Sequence, residues 1–323
     1  TPALVSGYGC DALCRSMWME ARSFGNPTAY IIFNGNHHHY RFPLHDMVLT
    51  DSEATAKIYK ETEGLTIHPY GICINADLVT AKTRNPQTVT FINPAFAKGV
   101  AIVARLILMA NKERPDISFM VVESRKKFAD ALRALKKPGD EVGSAFQNQT
   151  FKNIALRDAT FNVSEIYATT KVLVAPSLWY ESWGRVTTEA TMNGIPVLAS
   201  QSGGIPEAVG TGGITLPVPE SNQGKDENWL VLPSEEECRP WADALYELYD
   251  NTEKWQEGCR KNAEQHSLKD TGDRNLKLLQ PLLRKKAGDN DFTRLGSVRY
   301  DGDPLDWEEF KKAGKKRAQP ASE

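Results

Sequence analysis

The amino-acid sequence predicts an α/β fold with two domains, each built on a parallel sheet covered by helices. Short apolar runs typical of strands alternate with longer helical patterns along most of the chain. The length of 323 residues is most often divided between two domains. The composition, 41% hydrophobic and 25% charged, is that of a globular chain that buries sizeable cores.

The first series of elements covers residues 1–80. A predicted helix over 10–24 is followed by two strands and by a helix that Ser52 caps and Gly64 ends. The polar stretch over 75–85 ends before a proline, so we predict a linker between the domains there. The predicted strands of this domain are ALVSGYG, TAYIIF and DMVLTDS.

The second series covers residues 81–286 and alternates strands and helices in the same way. A polar tail over 287–323 follows, which could pack back on the first domain. The predicted strands are QTVTFIN, ISFMVVES, KNIALRD, KVLVAPS and IPVLAS, and the predicted helices cover 98–113, 126–136, a segment near Ser164, 238–250 and 252–266.

Charge, cysteine content and hydropathy exclude several classes of protein. A formal net charge of −2 gives no general attraction to nucleic acid, so we predict no nucleic-acid partner. The five cysteines are scattered and form no CxxC pair, which favours a reducing, cytoplasmic location over a disulfide framework or a zinc site. The longest apolar run, 99–110, contains Arg105 and is too short to span a bilayer, so we expect a buried helix.

Two glutamates eight positions apart are the strongest candidates for a functional site. Ligands bind beyond the carboxyl ends of parallel strands, and the strand KVLVAPS ends just before Glu181. Glu189 falls in the middle of a predicted helix that begins after Gly184 and ends at Gly194. Eight residues of helix rise roughly 12 Å, too far for a paired acid and base. We therefore expect the two carboxylates to hold different parts of one extended ligand, one of them a ribose diol.

A glycine turn and a lysine point to the same edge of the sheet. Gly203 and Gly204 precede Pro206, which suits the first turn of a helix, and free amides at a helix start bind phosphate. Lys98 is predicted to open the helix after the strand QTVTFIN, where its positive charge suits a diphosphate.

In these residues the sequence resembles the retaining GT-B glycosyltransferases of the glycogen-synthase-like and mannosyltransferase-like group, known as glycosyl transferases group 1. The resemblance covers about residues 46–245. It rests on the ExxxxxxxE motif of Glu181 and Glu189, the strand GIPVLAS and the turn GGIPEAV, in that order. It implies two Rossmann-like, doubly wound domains that face each other across a cleft.

The resemblance also implies a role for each matching residue. Glu189 would hold the ribose of a nucleoside diphosphate sugar, Glu181 would act on the transferred sugar, and Lys98 would bind phosphate. A histidine of the first domain would face the donor, and among His37, His38 and His39 we choose His37 as the second catalytic residue. The remaining donor-binding positions are Asn93, Ser182, Trp183, Gly184, Arg185, Gly203 and Gly204.

One position departs from the family pattern. Many members have an arginine five residues before the phosphate-binding lysine, whereas this sequence has Asn93 there. One phosphate contact must therefore be neutral or be replaced, and Arg185 is a candidate for the replacement.

The implied reaction moves a sugar from a nucleoside diphosphate sugar to a glycan, lipid-linked or small-molecule acceptor with retention of configuration, as in polysaccharide biosynthesis. Negative charge that develops on the diphosphate would be stabilised by Lys98 and the helix-start amides, while Glu181 eases positive charge on the sugar. The scheme requires neither a metal nor another cofactor. The sequence DGDP at 301–304 contains Asp-x-Asp but is predicted to be a turn in the tail.

Two other functions stay open. The chain could be a sugar-nucleotide epimerase of the same fold, or a nucleotide-sugar-binding subunit that needs a partner chain. Few residues precede the predicted linker, so we expect the first domain to lack its opening strands, either because the chain is a fragment or because a partner chain completes it. The basic tail, which includes FKKAGKKRAQP, could contact the inner face of a membrane.

Overall fold

The computed structural model describes residues 4–9, 11–35, 41–139, 145–146 and 151–283. Its strands are β1 (Val5–Gly7), β2 (Thr28–Ile32), β3 (Met47–Thr50), β4 (His68–Pro69), β5 (Thr88–Ile92), β6 (Ser118–Glu123), β7 (Ile154–Asp158), β8 (Thr170–Ala175), β9 (Val197–Ser200) and β10 (Gly213–Leu216). Its α-helices are α1 (Ala12–Ser23), α2 (Glu53–Glu63), α3 (Ala76–Val79), α4 (Val100–Glu113), α5 (Phe128–Ala134), α6 (Ser164–Thr169), α7 (Arg185–Met192), α8 (Ile205–Val209), α9 (Glu235–Asp250), α10 (Gln256–Gln265) and α11 (Leu268–Leu283).

The second sheet is doubly wound. Its strands are parallel and lie in the order β10-β9-β8-β5-β6-β7. The chain starts at the centre with β5, moves outward to β7, and returns to β8 before it moves outward in the opposite direction to β10. The two central strands therefore form a topological switch point, which opens a crevice at their carboxyl ends. The predicted α/β class with parallel sheets is confirmed.

The first sheet has a simpler order. Its strands are parallel and follow the sequence as β1-β2-β3-β4. Within the described residues this sheet has no reversal, so the doubly wound order that we predicted for both domains is present only in the second. A cluster of aromatic and aliphatic side chains, centred on Tyr30, Phe42 and Tyr59, fills its core.

The structure contains several helix features that the sequence predicts. The Ser52 hydroxyl accepts the amide of Thr55 at 3.0 Å and caps α2, which ends at the left-handed Gly64. The apolar run predicted to be a buried helix is α4, and nine of its 14 residues are buried in the core of the second sheet. Gly194, with φ of 65°, follows the end of α7 as predicted.

Other boundaries differ from the prediction. Lys98 does not open α4 but lies in a short 3-10 turn, Phe96–Lys98, and the helix follows Gly99, whose φ is 81°. A Cβ at Gly99 would overlap the carbonyl oxygen of Pro176, so the loops after β5 and β8 meet there in direct contact. The helix α11 was not predicted. Its Leu282 is buried against Ala29, Met47, Leu49 and Tyr70, so this last described helix packs on the first sheet.

The predicted linker is fixed to the second sheet. Residues 76–79 form α3, and the Asn193 side chain contacts it by accepting the amide of Ala81 at 2.8 Å and donating to Val79 O at 3.1 Å. The Arg84 guanidinium donates to Thr170 O at 2.7 Å. The boundaries 1–80 and 81–286 remain predictions, and the tail over 287–323 lies outside the described residues.

Candidate functional site

A cavity of about 330 Å³ lies at the switch point of the second sheet, at the carboxyl ends of β5 and β8. This volume is at the small end of the range for small-molecule sites. Most polar residues of its wall come from the loops after these strands and from the first turn of α7, and Ser124 follows β6: Asn93, Lys98, Ser124, Ser177, Glu181, Arg185 and Thr187. Gly184 also lines the cavity. Five of the predicted site residues are thereby brought to one cavity.

A charged pair faces this cavity. The Lys98 ammonium forms a salt bridge with the carboxylate of Glu181, and the Ser177 hydroxyl donates to Glu181 Oε1 at 2.9 Å. The side chains of Lys98 and Glu181 are 35% and 18% exposed, so the pair is open to a ligand. A bound anion would compete with Glu181 for the lysine. Ser177 was not predicted, although it ends the strand KVLVAPS and the rule that singled out Glu181 applies to it as well.

The start of α7 presents unpaired backbone amides. Gly184 precedes the helix in a left-handed conformation, with φ of 93°, and no side chain caps the helix. Within the described ranges, the backbone amides of residues 182–185 donate to no other group. The positive end of the helix dipole and the 65% exposed Arg185 side chain add to these free donors.

Glu189 lies one turn deeper in α7 and is only 5% exposed. Its carboxylate accepts the Tyr167 hydroxyl at 2.8 Å and Arg185 Nε at 2.6 Å. Burial, and then the nearby carboxylate, raise the pKa of Tyr167 well above its ordinary value, so the phenol stays a hydrogen-bond donor. A carboxylate has about four acceptor positions, so two remain for a ligand. Glu189 does not line the cavity itself but adjoins it through Arg185.

Asn93 directly follows β5 and has a φ of 67°, an uncommon backbone conformation for a residue other than glycine. Its side-chain Oδ1 is buried and has no hydrogen-bond partner in the described part of the chain. An unpaired buried amide at a cavity wall is a polar group that a ligand can satisfy.

The side chains of Ser182 and Trp183 lie outside the wall of the cavity. The Ser182 hydroxyl lies 2.8 Å from both Phe33 O and Asp51 Oδ2, and so joins the loop to the first domain. The Trp183 ring is buried, with Nε1 donating to Thr188 Oγ1 at 2.8 Å. Only the backbones of Ser182 and Trp183 are therefore placed to meet a phosphate.

The glycine turn packs against the loop that carries Glu181. A Cβ at Gly203 would overlap Glu181 O, and one at Gly204 would overlap Ser182 O. The amide of Gly204 donates to Glu181 O at 2.8 Å, so it is not free for a ligand. Both glycines thus lie behind the loop, and a direct contact of either with a donor remains a prediction.

The carboxyl edge of the first sheet closes over this loop. Glu207 accepts the first amides of α2, from Glu53 and Ala54, at 2.8 and 2.7 Å. Burial, with a smaller contribution from the charge of Glu207, raises the pKa of Asp51 to about 6. Neither Asp51 nor Glu207 was predicted. His37, His38 and His39 lie outside the described residues.

No group of three or more histidine, cysteine, aspartate or glutamate side chains in the described ranges could hold a metal ion. No described helix is both long and apolar enough to cross a membrane.

A doubly wound sheet with free helix-start amides at its switch point, facing a second parallel sheet, is an architecture that many nucleotide-binding α/β proteins share. Residues 152–264 match the family model "Glycosyl transferases group 1". No curated protein sequence matches the chain. The described chain has the GT-B fold, and residues 152–264 are similar to the group 1 glycosyltransferases.

Solved structures of low sequence identity share this fold. The pneumococcal O-GlcNAc transferase GtfA, in complex with UDP and GlcNAc, is 16% identical with a TM-score of 0.64, and the match covers 84% of this chain and 55% of that one. Anabaena Alr3699/HepE, in complex with UDP and glucose, is 14% identical with a TM-score of 0.58, and the match covers 88% and 78%. The GtfA/B complex is 16% identical with a TM-score of 0.61, and the match covers 85% of this chain and 56% of that one. The chain thus spans about half the length of the pneumococcal protein.

Proposed function

We propose that the chain is a retaining glycosyltransferase that moves a sugar, a hexose or related pyranose, from a nucleoside diphosphate sugar to a saccharide, lipid-linked or small-molecule acceptor. The observation that carries the proposal is the cavity at the switch point. It combines free helix-start amides, a lysine and a carboxylate within one small volume. The group 1 family match over residues 152–264 supports the same reaction class.

The donor would lie along α7 and across the switch point. Its diphosphate would accept the amides of residues 182–185 and bind Lys98, and its ribose would bind Glu189. Asn93 would contribute a neutral contact, and the exposed Arg185 a positive charge in place of the arginine expected before Lys98. Uridine is the first base to test, because the structures of GtfA and of Alr3699/HepE contain UDP.

The chemistry follows from where charge develops. As the bond from the anomeric carbon to the phosphate oxygen breaks, negative charge grows on the diphosphate, beside Lys98 and the amides of α7. Positive charge grows on the sugar ring, where Glu181 would stabilise it. The acceptor hydroxyl would attack from the face that the diphosphate leaves, and a leaving phosphate oxygen would take its proton. A contribution of His37, a cytoplasmic location and contact with a membrane surface all remain predictions.

Calorimetric titration tests the donor site. UDP, GDP, ADP and their glucose and N-acetylglucosamine conjugates are titrated into the purified chain with and without magnesium. We expect micromolar binding of one nucleotide, independent of magnesium and lost in Glu189→Ala. Equal binding by Glu189→Ala and the unaltered chain would show that the assignment of the diol to this residue is wrong.

A reaction of the chain with donor and acceptor, with the products identified by proton NMR, tests the reaction class. A transferase releases the nucleoside diphosphate and forms a glycoside whose anomeric coupling constant matches that of the donor. An epimerase would instead convert one nucleotide sugar into another without release of the diphosphate. A glycoside of opposite anomeric configuration would contradict the proposed retention.

A nucleotide-sugar-binding subunit that needs a partner chain is the second candidate. The similarity to the GtfA/B complex, together with a span of about half of that chain, favours this alternative. The two candidates differ in one measurement. If the chain binds a nucleotide but releases no diphosphate from any donor until a second protein is added, the subunit function is correct and the independent enzyme is not.

A further inference from the structure

Two exposed aromatic rings lie side by side at the carboxyl edge of the first sheet. Tyr8 follows β1 and Phe33 follows β2, and these strands are neighbours in the sheet. Tyr8 is 71% exposed and Phe33 46% exposed. Their ring centroids are 5.8 Å apart with an interplanar angle of 79°, so they meet edge to face. In this geometry the faces of the ring that contributes its edge are not covered by the other ring.

The backbone that carries Phe33 contacts the loop of the candidate donor site. Phe33 O accepts the Ser182 hydroxyl at 2.8 Å, and Ser182 directly follows Glu181 in the chain. Two residues after Phe33, a Cβ at Gly35 would lie only 3.0 Å from the ring of Tyr180, which directly precedes Glu181. The segment that carries Phe33 thus contacts the loop of Glu181 from the first domain.

We propose that Tyr8 and Phe33 form a platform on which a pyranose ring of the acceptor stacks. This inference rests on the proposed transferase function, since it assigns a substrate class to the open side of that site. A pyranose presents an apolar C–H face that suits an aromatic ring and polar edges that suit water and the Tyr8 hydroxyl.

The shape of the platform favours a sugar over a lipid tail. Two rings at a steep angle form a short ledge with one polar hydroxyl, whereas an alkyl chain is bound by a longer apolar groove. The position also fits the reaction, because an acceptor hydroxyl must approach the sugar that Glu181 contacts. Stacked on this ledge, an acceptor pyranose would be oriented from the first domain while the donor is held by the second.

Saccharide titration tests the platform. Maltotriose, cellotriose and chitotriose are titrated in the presence of UDP and followed by saturation-transfer difference NMR. We expect at least one trisaccharide to bind, and Tyr8→Ala to weaken it about tenfold, the value of one aromatic stacking contact. Phe33→Leu, which keeps an apolar side chain but removes the ring, is expected to weaken the same saccharide. The affinity for UDP should stay within about twofold in both variants.

Phe24→Ala is the matched control. Phe24 is 61% exposed and follows α1, at the amino edge of the same sheet and away from the cleft. Its replacement removes an exposed ring from the same domain and should leave saccharide binding unchanged. Equal loss in Phe24→Ala and Tyr8→Ala would show a general effect of lost surface rings and overturn the platform.

The remaining outcomes separate this inference from the donor proposal. If UDP binds and no trisaccharide does, the platform is overturned while the donor site stands. If a trisaccharide binds through Tyr8 and no nucleotide binds, the platform stands and the donor site does not. Dodecyl maltoside below its micellar concentration is the last probe. If it binds through these rings while maltose does not, they contact an alkyl chain, and the saccharide assignment is overturned.

Discussion

The loop after β8 and the helix α7 hold their carboxylates in different ways. Glu181 lies in the loop, is open to the cavity, and is paired with Lys98 and with Ser177. Glu189 lies in the helix, is almost fully buried, and is held by one phenol and one guanidinium. The two share one motif in the sequence but have different environments in the structure.

This difference indicates different functional roles for Glu181 and Glu189. A carboxylate that is partly exposed and paired with a partly exposed lysine can exchange partners when a ligand arrives, so it suits a step in which charge changes. A buried carboxylate held from two sides has little freedom, so it suits recognition of a fixed group such as a ribose diol. The predictions below test this division of roles.

Glu181→Gln should have the largest effect. We expect turnover of the donor, followed as release of the nucleoside diphosphate, to fall about 100-fold or more, because the amide cannot stabilise positive charge on the sugar. Nucleotide affinity should be kept or should rise, since Lys98 loses the carboxylate that competes for it. Glu220→Gln makes the same chemical change in a surface 3-10 turn and serves as the control. Equal losses of turnover and affinity in Glu181→Gln would contradict its assignment to the reacting sugar.

Glu189→Gln should act on binding. Comparison of UDP with 2′-deoxy-UDP isolates the diol, because the deoxy compound lacks one of the two hydroxyls. We expect the unaltered chain to prefer UDP by about tenfold, as for a hydrogen bond to a charged group, and the variant to lose this preference. The two ligands and two proteins form a double-mutant cycle, read by calorimetry. A preference that survives the substitution would show that another group holds the diol.

Much of this arrangement could be predicted from the sequence. Strand and helix alternation predicts the parallel second sheet, and the rule that ligands bind at carboxyl ends of strands brings Lys98, Glu181 and Gly184 to one edge. Local signals, such as the cap at Ser52, depend on a few neighbouring residues and so are visible in the sequence. The order of the first sheet and the packing of α11 depend on distant contacts, and no local pattern predicts them.

The partners of the predicted residues were missed for the same reason. Tyr167 reaches Glu189 from another helix, and Asp51 reaches Ser182 from the other domain. Neither residue belongs to a motif, and each pairing joins positions far apart in the chain. The glycine turn shows the converse, since GGIP predicts a close approach of backbone but does not reveal that the approach is to the carbonyl groups of Glu181 and Ser182.

The raised pKa of Asp51 predicts how the free energy of unfolding changes with pH. Its pKa of about 6 in the folded chain exceeds the value of about 4 for an unfolded aspartate. The stabilisation linked to the bound proton is therefore complete below about pH 4 and is lost as pH rises through 6. Asp51→Asn keeps a neutral side chain at every pH. The quantity to compare is the free energy of unfolding of the variant minus that of the unaltered chain. We expect this difference to be about 1–3 kcal/mol higher at about pH 8 than at about pH 4.

The measurement for Asp51 is urea unfolding at both pH values. Asp273→Asn, which changes an exposed aspartate that pairs with Lys269 on α11, controls for the change in net charge. It should show no such dependence on pH. If the difference between Asp51→Asn and the unaltered chain is the same at both pH values, the raised pKa is wrong and Asp51 is ionised throughout.

Tyr167→Phe should have the smallest effect and tests how Glu189 is held. The substitution keeps the buried ring and removes only the hydroxyl that donates to Glu189. We expect the free energy of unfolding to fall by about 1 kcal/mol and UDP to bind about threefold more weakly, because Arg185 still orients the carboxylate. Tyr246→Phe, which removes the surface hydrogen bond to Glu113 at 3.3 Å, is the matched control and should change neither quantity measurably. If Tyr167→Phe loses stability but binds UDP as before, the phenol supports only the fold, and Arg185 alone orients Glu189 for the diol.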